Sequence, residues 1–240
     1  MKSSAGGPTM STQELRLVLD VPFSDTLGLD VYVPDATAHR GLRPLIMWVH
    51  GGGFRPGNDK SQSYIVALAT EFAKRGYVCV APDYRLRDAP MDDLAGTIRD
   101  AVDDVALALQ WVRDHADQYG ADPTNIFLAG GSAGGMTVVT LCYTRETGLR
   151  GLINLWGSPA PEYTAGYSFP QKTPYFSVHG TADQLVPYRY GTALLERLRE
   201  RGVEADLLEI RDGRHTPMDH QDEIVQAVQE FLDRWTGTQP

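Results

Sequence analysis

The chain has 240 residues, of which 42% are hydrophobic and 22% are charged, and these proportions are typical of a globular protein with a full hydrophobic core. Its formal net charge of −9 repels phosphate backbones, and no basic stripe offsets that repulsion, so we expect no nucleic-acid partner. No segment approaches the roughly 18 consecutive apolar residues of a membrane-spanning helix, so we also expect no membrane span.

The first ten residues are small and polar. They lack the apolar core of a secretion signal, so we expect residues 1–11 to be a flexible leader, and the protein to be cytoplasmic or secreted with its signal already removed. Residues 12–240 contain no internal repeat and no low-complexity linker, which predicts a single domain. Cys79 and Cys142 lie in apolar runs and are interpreted as buried free thiols.

Short apolar runs predict eight strands. Residues 14–20 and 27–33 alternate between apolar and polar side chains, which is typical of a hairpin at the edge of a sheet. Residues 44–49 are continuously apolar, as in a strand that is covered on both faces. The five later strands are predicted at residues 77–81, 126–129, 152–156, 175–179 and 205–210.

Apolar residues that recur with the helical period lie between these strands. They predict a helix capped by Ser61 and ended by Gly76, one over residues 98–118, one that opens directly after Ser132, and two at residues 188–201 and 219–235. The alternation predicts an α/β fold with a mostly parallel eight-stranded sheet, helices on both faces, and the first two strands antiparallel to the rest. Reactive residues are then expected in the loops at the carboxyl ends of the strands.

The strongest functional motif is Gly130-Gly131-Ser132-Ala133-Gly134, which directly follows a predicted strand and opens a predicted helix. A nucleophilic serine needs such a sharp strand-to-helix turn, because the turn projects its hydroxyl from the edge of the sheet, and small neighbours relieve the crowding. The alternative interpretation is a glycine-rich turn with an incidental serine. The strand–turn–helix context favours Ser132 as a nucleophile.

The second motif is HGGGF at residues 50–54, at the end of a buried strand. Three successive glycines let the backbone turn with its N–H groups inward, which is the construction of an oxyanion hole shared with the N–H of Ala133. A phosphate-binding nest is the alternative, but no Gly-Lys-Ser/Thr follows. His50 is interpreted as a brace for this loop.

Together the two motifs resemble the α/β-hydrolase superfamily, and within it the hormone-sensitive-lipase-like esterases and the small feruloyl and acetyl esterases. The resemblance extends from about residue 14 to residue 235 and includes the DYR segment at residues 83–85, whose Asp83 and Arg85 we expect to hold loops by ion pairing. It implies an α/β-hydrolase fold with a minimal cap and a serine carboxylic-ester hydrolase that acts through an acyl-enzyme. It also implies that Gly52, Gly53 and Ala133 donate the oxyanion N–H groups.

The resemblance further implies a catalytic triad in the chain order serine, acid, histidine. Asp183 lies in the loop after the strand at residues 175–179 and is the candidate acid, although a turn or a helix cap is its alternative role. His179, at the end of that strand, is interpreted as structural. His215 follows the strand at residues 205–210 and is the candidate base; His220 competes with it but falls in the first turn of the last helix.

Five large apolar residues near the strand ends are candidates for the substrate pocket, although such residues are more often core. They are Phe54, Met136, Trp156, Leu185 and Val186. No His, Cys, Asp or Glu cluster has the spacing of metal ligands, so we expect neither a metal nor an organic cofactor. The expected substrate is a short-chain or carbohydrate-linked (acetyl or feruloyl) ester. An amidase or formamidase and a non-catalytic ligand-binding homologue remain alternatives.

Overall fold

The computed structural model describes residues 15–35 and 41–237. The leader predicted at residues 1–11 therefore lies outside the described residues. Within them, eight strands form one sheet in the order β1-β2-β4-β3-β5-β6-β7-β8. The strands are β1 (Arg16–Pro22), β2 (Gly28–Val33), β3 (Arg43–Val49), β4 (Val78–Pro82), β5 (Ala121–Gly131), β6 (Gly151–Leu155), β7 (Tyr175–Gly180) and β8 (Ala205–Ile210).

Strand β2 runs against both of its neighbours. It pairs antiparallel with β1 on one side and with β4 on the other, whereas the remaining pairings in the sheet are parallel. The prediction that the first two strands both oppose the rest is therefore wrong, because the two strands of a hairpin necessarily run in opposite directions. The broader prediction of a mostly parallel, eight-stranded sheet is confirmed.

In the described residues, five α-helices lie between successive strands and a sixth follows β8. They are α1 (Ser63–Lys74), α2 (Leu94–His115), α3 (Ala133–Thr144), α4 (Pro161–Thr164), α5 (Tyr188–Glu200) and α6 (Gln221–Thr236). Ser61 does not cap α1, because its hydroxyl bonds to the carboxylate of Asp59 instead. Helix α2 starts four residues before its predicted start, because the Asp93 carboxylate accepts the N–H of Gly96 and caps the helix there.

The helices cover both faces of the sheet, as predicted, and enclose two hydrophobic cores. Helices α2, α3 and α5 pack on one face, and α1 and α6 pack on the other. Successive side chains of a strand point to opposite faces, so Leu45 of β3 lies in the first core and Ile46 lies in the second. Cys142 belongs to the first core and Cys79 to the second, and both are buried free thiols, as predicted.

The parallel strands β3, β5, β7 and β8 all end at the same edge of the sheet. The loops that follow them carry both glycine motifs and the two predicted triad partners of the serine. The segment between β6 and β7 includes only the four-residue helix α4, so little covers this edge from that side. Among the described residues, no helix has the length and apolar character needed to cross a lipid bilayer.

Candidate active site

Ser132 forms the turn between β5 and α3. Its backbone has a φ of 54° and a ψ of −120°, a combination that costs a non-glycine residue of the order of 1–3 kcal/mol. The Ser132 N–H donates to Leu155 O at 2.9 Å, which helps to hold this strained conformation. The turn also needs glycine beside it: a Cβ on Gly134 would lie 2.2 Å from Val49 O. The local backbone is thus specialised to project one hydroxyl.

The structure brings Ser132, His215 and Asp183 together from three separate loops. The Nε2 atom of His215 lies 2.9 Å from Ser132 Oγ, and its Nδ1 lies 2.8 Å from Asp183 Oδ2. An ionised carboxylate can only accept, so Nδ1 carries the proton and Nε2 is free to accept the serine proton. The Asp183 side chain is fully buried. This arrangement is the one that a serine nucleophile and its general base require.

The competing histidine does not reach the serine. His220 lies in a 3₁₀ turn just before α6, where its Nδ1 is 3.2 Å from Glu223 Oε2. The last helix therefore starts at Gln221, two residues after its predicted start at residue 219. His215, by contrast, lies in the loop after β8.

The HGGGF loop exposes main-chain donors beside Ser132. Hydrogen bonds between described residues give no acceptor to the N–H groups of Gly52, Gly53 or Ala133, and all three residues line the same cavity as Ser132. Gly52 and Gly53 adopt positive φ values of 101° and 62°, which glycine tolerates best. Unpaired donors of this kind can stabilise a developing oxyanion.

The first glycine of the motif serves a different purpose. The Gly51 N–H donates to Tyr64 Oη at 2.8 Å and to Gln62 Oε1 at 3.1 Å. The side-chain amide of Asn58 donates to Gly52 O at 3.2 Å and accepts from the side-chain amide of Gln62 at 2.9 Å. A chain of side chains from α1 and its preceding loop therefore fixes the glycine loop, and sequence analysis did not identify any of them.

His50 and Tyr84 brace the glycine loop by a hydrogen bond and by ring stacking. The Tyr84 hydroxyl donates to His50 O at 2.9 Å, and the two rings stack with centroids 4.3 Å apart. The Nδ1 atom of His50 lies 2.9 Å from Gly51 O, in agreement with the bracing role expected from the sequence. Burial lowers the pKa of His50 below its ordinary value, so this ring is neutral and is not placed to act as a base on Ser132.

The DYR segment holds neighbouring loops by ion pairs, as expected. Asp83 Oδ2 lies 2.9 Å from Lys60 Nζ, which ties the loop before α1 to the end of β4. Arg85 Nε lies 2.7 Å from Asp104 Oδ2, which ties the loop after β4 to helix α2. Neither pair includes a residue of the Ser132–His215–Asp183 cluster.

Comparison with protein families places this chain in a known group. The BD-FAE family model matches residues 29–154, more than half of the chain. The chain belongs to the BD-FAE family. A second model, that of the prolyl oligopeptidase family, matches residues 156–239 of this BD-FAE chain. The predicted resemblance to α/β-hydrolase esterases is therefore confirmed.

Curated relatives of this BD-FAE chain are much longer proteins. It is 38% identical over 95 residues to "Probable carboxylic ester hydrolase LipM" of Mycobacterium tuberculosis, covering 40% of this chain and 20% of the relative. It is 34% identical over 141 residues to "Phenmedipham hydrolase" of Pseudarthrobacter oxydans, covering 57% of this chain and 26% of the relative. The chain thus spans about a quarter or less of the length of these two relatives.

Solved structures confirm the predicted α/β-hydrolase fold. Esterase 2 of Thermogutta terrifontis with propionate bound is 21% identical, has a TM-score of 0.71, and is matched over 97% of this chain and 98% of that one. The same esterase phosphonylated by sarin gives 20% identity and a TM-score of 0.72, with 97% and 99% covered. At this identity the likeness establishes the fold.

A cavity of about 630 Å³ opens beside Ser132 in this BD-FAE protein. Of the five pocket residues predicted, Trp156 does not line it. This side chain is fully buried in the second core, where its ring meets that of Tyr64 edge-on at 5.6 Å. Four of the predicted residues do line the cavity, namely Phe54, Met136, Leu185 and Val186.

Sequence analysis missed several other residues that line the cavity. They are Arg55, Gln62, Ser63, Tyr64, Met91, Leu94 and Thr216. Met91 and Leu185 are large apolar side chains that are 55% and 73% exposed. Exposed apolar residues at the rim of a concave site mark a surface suited to an apolar ligand.

Proposed function

We propose that this BD-FAE protein is a serine hydrolase that cleaves carboxylic esters. One observation carries the proposal: His215 lies within hydrogen-bonding distance of both Ser132 Oγ and Asp183 Oδ2, at 2.9 and 2.8 Å. Ester hydrolysis needs a nucleophile, a general base and an oriented acid in this relation. The unpaired N–H groups of Gly52, Gly53 and Ala133 lining the same cavity add the electrostatic component that acyl transfer requires.

The proposed reaction proceeds through an acyl-enzyme. Ser132 Oγ bonds to the ester carbonyl carbon while its proton passes to His215 Nε2, and Asp183 stabilises the resulting imidazolium. The carbonyl oxygen becomes an oxyanion that accepts hydrogen bonds from the glycine loop and from the N–H of Ala133. The tetrahedral intermediate then collapses, the C–O bond to the alcohol breaks, and His215 protonates the leaving oxygen. Water, deprotonated by His215, hydrolyses the acyl-serine by the same steps in reverse.

We propose short-chain esters and acetylated or feruloylated carbohydrates as the substrate class. The four-residue helix α4 leaves the cavity only lightly capped, and this leaves room for a bulky alcohol portion. The exposed side chains of Met91 and Leu185 offer an apolar rim to an aromatic or acyl group. The Thermogutta esterase of the same fold has been described with propionate and with butyrate bound, which supports a small acyl group.

Replacement of the nucleophile tests the proposal. Ser132→Ala should reduce kcat for p-nitrophenyl acetate by about 10⁴-fold or more, because the residual rate then depends on binding and the oxyanion donors alone. Ser63→Ala is a matched control, since Ser63 lines the same cavity, and it should keep kcat within about threefold. A fluorophosphonate probe should label the control and leave Ser132→Ala unlabelled. Wild-type turnover and labelling in Ser132→Ala would rule out the proposed chemistry.

A substrate panel separates the proposed class from its alternatives. The values of kcat/KM for p-nitrophenyl acetate, methyl ferulate, acetylxylan and a formamide should favour the three esters. A preference for the formamide would support an amidase on the same scaffold. Absence of both labelling and turnover in the wild-type protein would support a ligand-binding homologue without catalysis.

A further inference from the structure

A second histidine lies beside the carboxylate of Asp183. His179 is the fifth residue of β7, and its side chain is fully buried. Its Nε2 atom is 2.9 Å from Val186 O and 3.4 Å from Asp183 Oδ2. The acid loop, residues 183–186, therefore closes over this ring, with its first and last residues in contact with the same nitrogen.

The contacts of His179 define its tautomer. A backbone carbonyl only accepts, so the nitrogen that faces Val186 O must carry the proton. The opposite nitrogen, Nδ1, is buried and has no hydrogen-bond partner among the described residues. Burial lowers the pKa of this histidine, so the ring is neutral. Its one N–H donates to Val186 O, and Asp183 Oδ2 lies 3.4 Å from the same nitrogen.

The ring is also confined on its far side by α5. A Cβ added to Gly191 would lie 2.8 Å from His179 Nδ1, so glycine is the residue that leaves room for the imidazole there. The ring of Tyr188 meets it edge-on, with centroids 5.7 Å apart. A ring flip would turn a bare nitrogen toward the Val186 carbonyl, which repels it. One orientation is therefore strongly favoured.

Asp183 receives donors on both of its oxygens. The N–H groups of Leu185 and Val186 donate to Oδ1 at 2.8 and 3.0 Å. On Oδ2, His215 Nδ1 donates at 2.8 Å, and the Nε2 atom of His179 lies 3.4 Å away. A buried ionised carboxylate requires such a set of donors. His179 adds a side-chain hydrogen bond to the backbone of the same loop, at Val186 O.

We propose that His179 is a positioning residue for the ester hydrolysis proposed above, on which this inference rests. Its Nε2–H holds Val186 O and lies beside the Asp183 carboxylate, and so it keeps the acid loop in the conformation that directs Oδ2 at His215. Without this N–H the acid loop relaxes, Asp183 orients His215 less well, and the serine proton is transferred more slowly. His179 itself does not line the cavity, so we expect the loss in kcat to exceed any change in KM.

Two amide variants of His179 test the proposal. In His179→Gln the amide nitrogen reaches about the place of Nε2, whereas the shorter side chain in His179→Asn reaches only the place of Nδ1. We expect kcat for p-nitrophenyl acetate to fall about tenfold in His179→Asn with KM within about twofold, and to recover to within about threefold of wild type in His179→Gln. Equal kcat in the two variants, or a loss expressed mainly in KM, would overturn the positioning role.

Two controls separate positioning from general damage. Tyr143→Phe removes another buried hydrogen bond, from Tyr143 Oη to Thr173 O at 3.2 Å, and should leave kcat near the wild-type value at a comparable loss of melting temperature. In an Asp183→Asn background, His179→Asn should cause less than a twofold further loss of kcat, because it acts through that carboxylate. A full tenfold further loss would contradict the inference.

The Ser132→Ala variant distinguishes failure of the proposed function from failure of the positioning role of His179. If Ser132→Ala keeps its activity, the proposed function is wrong, and any effect of the His179 substitutions on kcat needs another explanation. If Ser132→Ala is inactive while His179→Asn behaves like Tyr143→Phe, the proposed function stands and the positioning role of His179 is wrong.

Discussion

Ser132 is held in a backbone conformation that an L-residue rarely adopts. A φ of 54° with a ψ of −120° persists only where the surroundings enforce it. Here the Leu155 carbonyl accepts the Ser132 N–H from the neighbouring strand, and α3 begins at the very next residue. The strain is useful because it directs Oγ away from the sheet and toward His215, while the start of α3 leaves the N–H of Ala133 free.

The two glycines of the proposed oxyanion hole differ in the space around them. A Cβ on Gly52 would lie 2.1 Å from Asn58 Cγ, whereas a Cβ on Gly53 would meet no atom within 4 Å. We therefore expect Gly52→Ala to displace the loop and lower kcat by about 100-fold, the usual cost of a lost oxyanion donor. Gly53→Ala should lower kcat less than about tenfold, at a stability cost of about 1 kcal/mol for its positive φ.

Turnover of p-nitrophenyl acetate, together with thermal melts of the two variants, checks this expectation. Gly53→Ala is the matched control, since it makes the same chemical change one residue away. If Gly53→Ala loses as much kcat as Gly52→Ala, steric contact with Asn58 is not what makes Gly52 necessary.

Motifs located the residues proposed to react, but not the side chains that hold them. Ser132 and the glycine loop lie in short sequence motifs in which the backbone geometry of the site requires each residue type, so the sequence alone identifies them. Tyr64 and Gln62 support Gly51 through hydrogen bonds that join residues 11 and 13 positions apart, and no local pattern marks them. The prediction that Trp156 lines the pocket is wrong, because the sequence around a large apolar residue at a strand end does not indicate whether its side chain faces a cavity or a core.

At the scale of elements, the edge hairpin is tied to the sheet by a cluster of charges. Lys60 Nζ lies 2.9 Å from the carboxylates of Asp20 and Asp83, and 4.0 Å from that of Asp30. Burial opposes the charge of Lys60, but its hydrogen bonds to Asp20 and Asp83 outweigh burial and raise its pKa. The pKa of Asp30 is raised, mainly by burial. One cation therefore joins β1, β2, β4 and the loop before α1.

Removing that cation should weaken the attachment of the hairpin. We expect Lys60→Met to lower the free energy of unfolding by about 2 kcal/mol, because it leaves acidic groups close together without their counter-charge; the exposure of Asp20 keeps the loss below that of a fully buried pair. Urea denaturation followed by tryptophan fluorescence measures the change. Lys74→Met makes the same charge change at an exposed helix end and should have little effect. Equal stabilities of the two variants would contradict the role assigned to Lys60.

Central strands were easier to predict than helix starts and strand directions. Strand β3 begins one residue before the predicted 44–49 and ends where predicted, because its buried residues 45–49 form a continuous apolar run. The start of α2 depends instead on one side-chain hydrogen bond from Gly96 to Asp93, which periodicity does not reveal. The direction of β1 follows from pairing geometry, and helix α4 is too short to leave a periodic pattern.

At the scale of the molecule, the two hydrophobic cores share a single sheet. Alternate residues of β3, such as Leu45 and Ile46, belong to different cores. Opening one face therefore removes packing from strands that also support the other face. Such coupling favours one cooperative unit over two independently unfolding halves, which is what the prediction of a single domain over residues 12–240 requires.

The two free cysteines can test this coupling, because Cys142 and Cys79 lie in opposite cores. Burial raises the pKa of Cys79 to about 12 and that of Cys142 to about 11, so both thiols should resist a disulfide reagent such as DTNB in the folded protein at pH 8. Each single-cysteine variant, Cys79→Ala or Cys142→Ala, keeps one thiol. Labelling of that thiol should require opening of the core in which it lies. We expect the free energies of opening, taken from labelling rates across a urea series, to agree within about 1 kcal/mol and to match global unfolding. Labelling of one cysteine at clearly lower urea would mean that the two faces open separately, and the single-domain prediction would then be wrong.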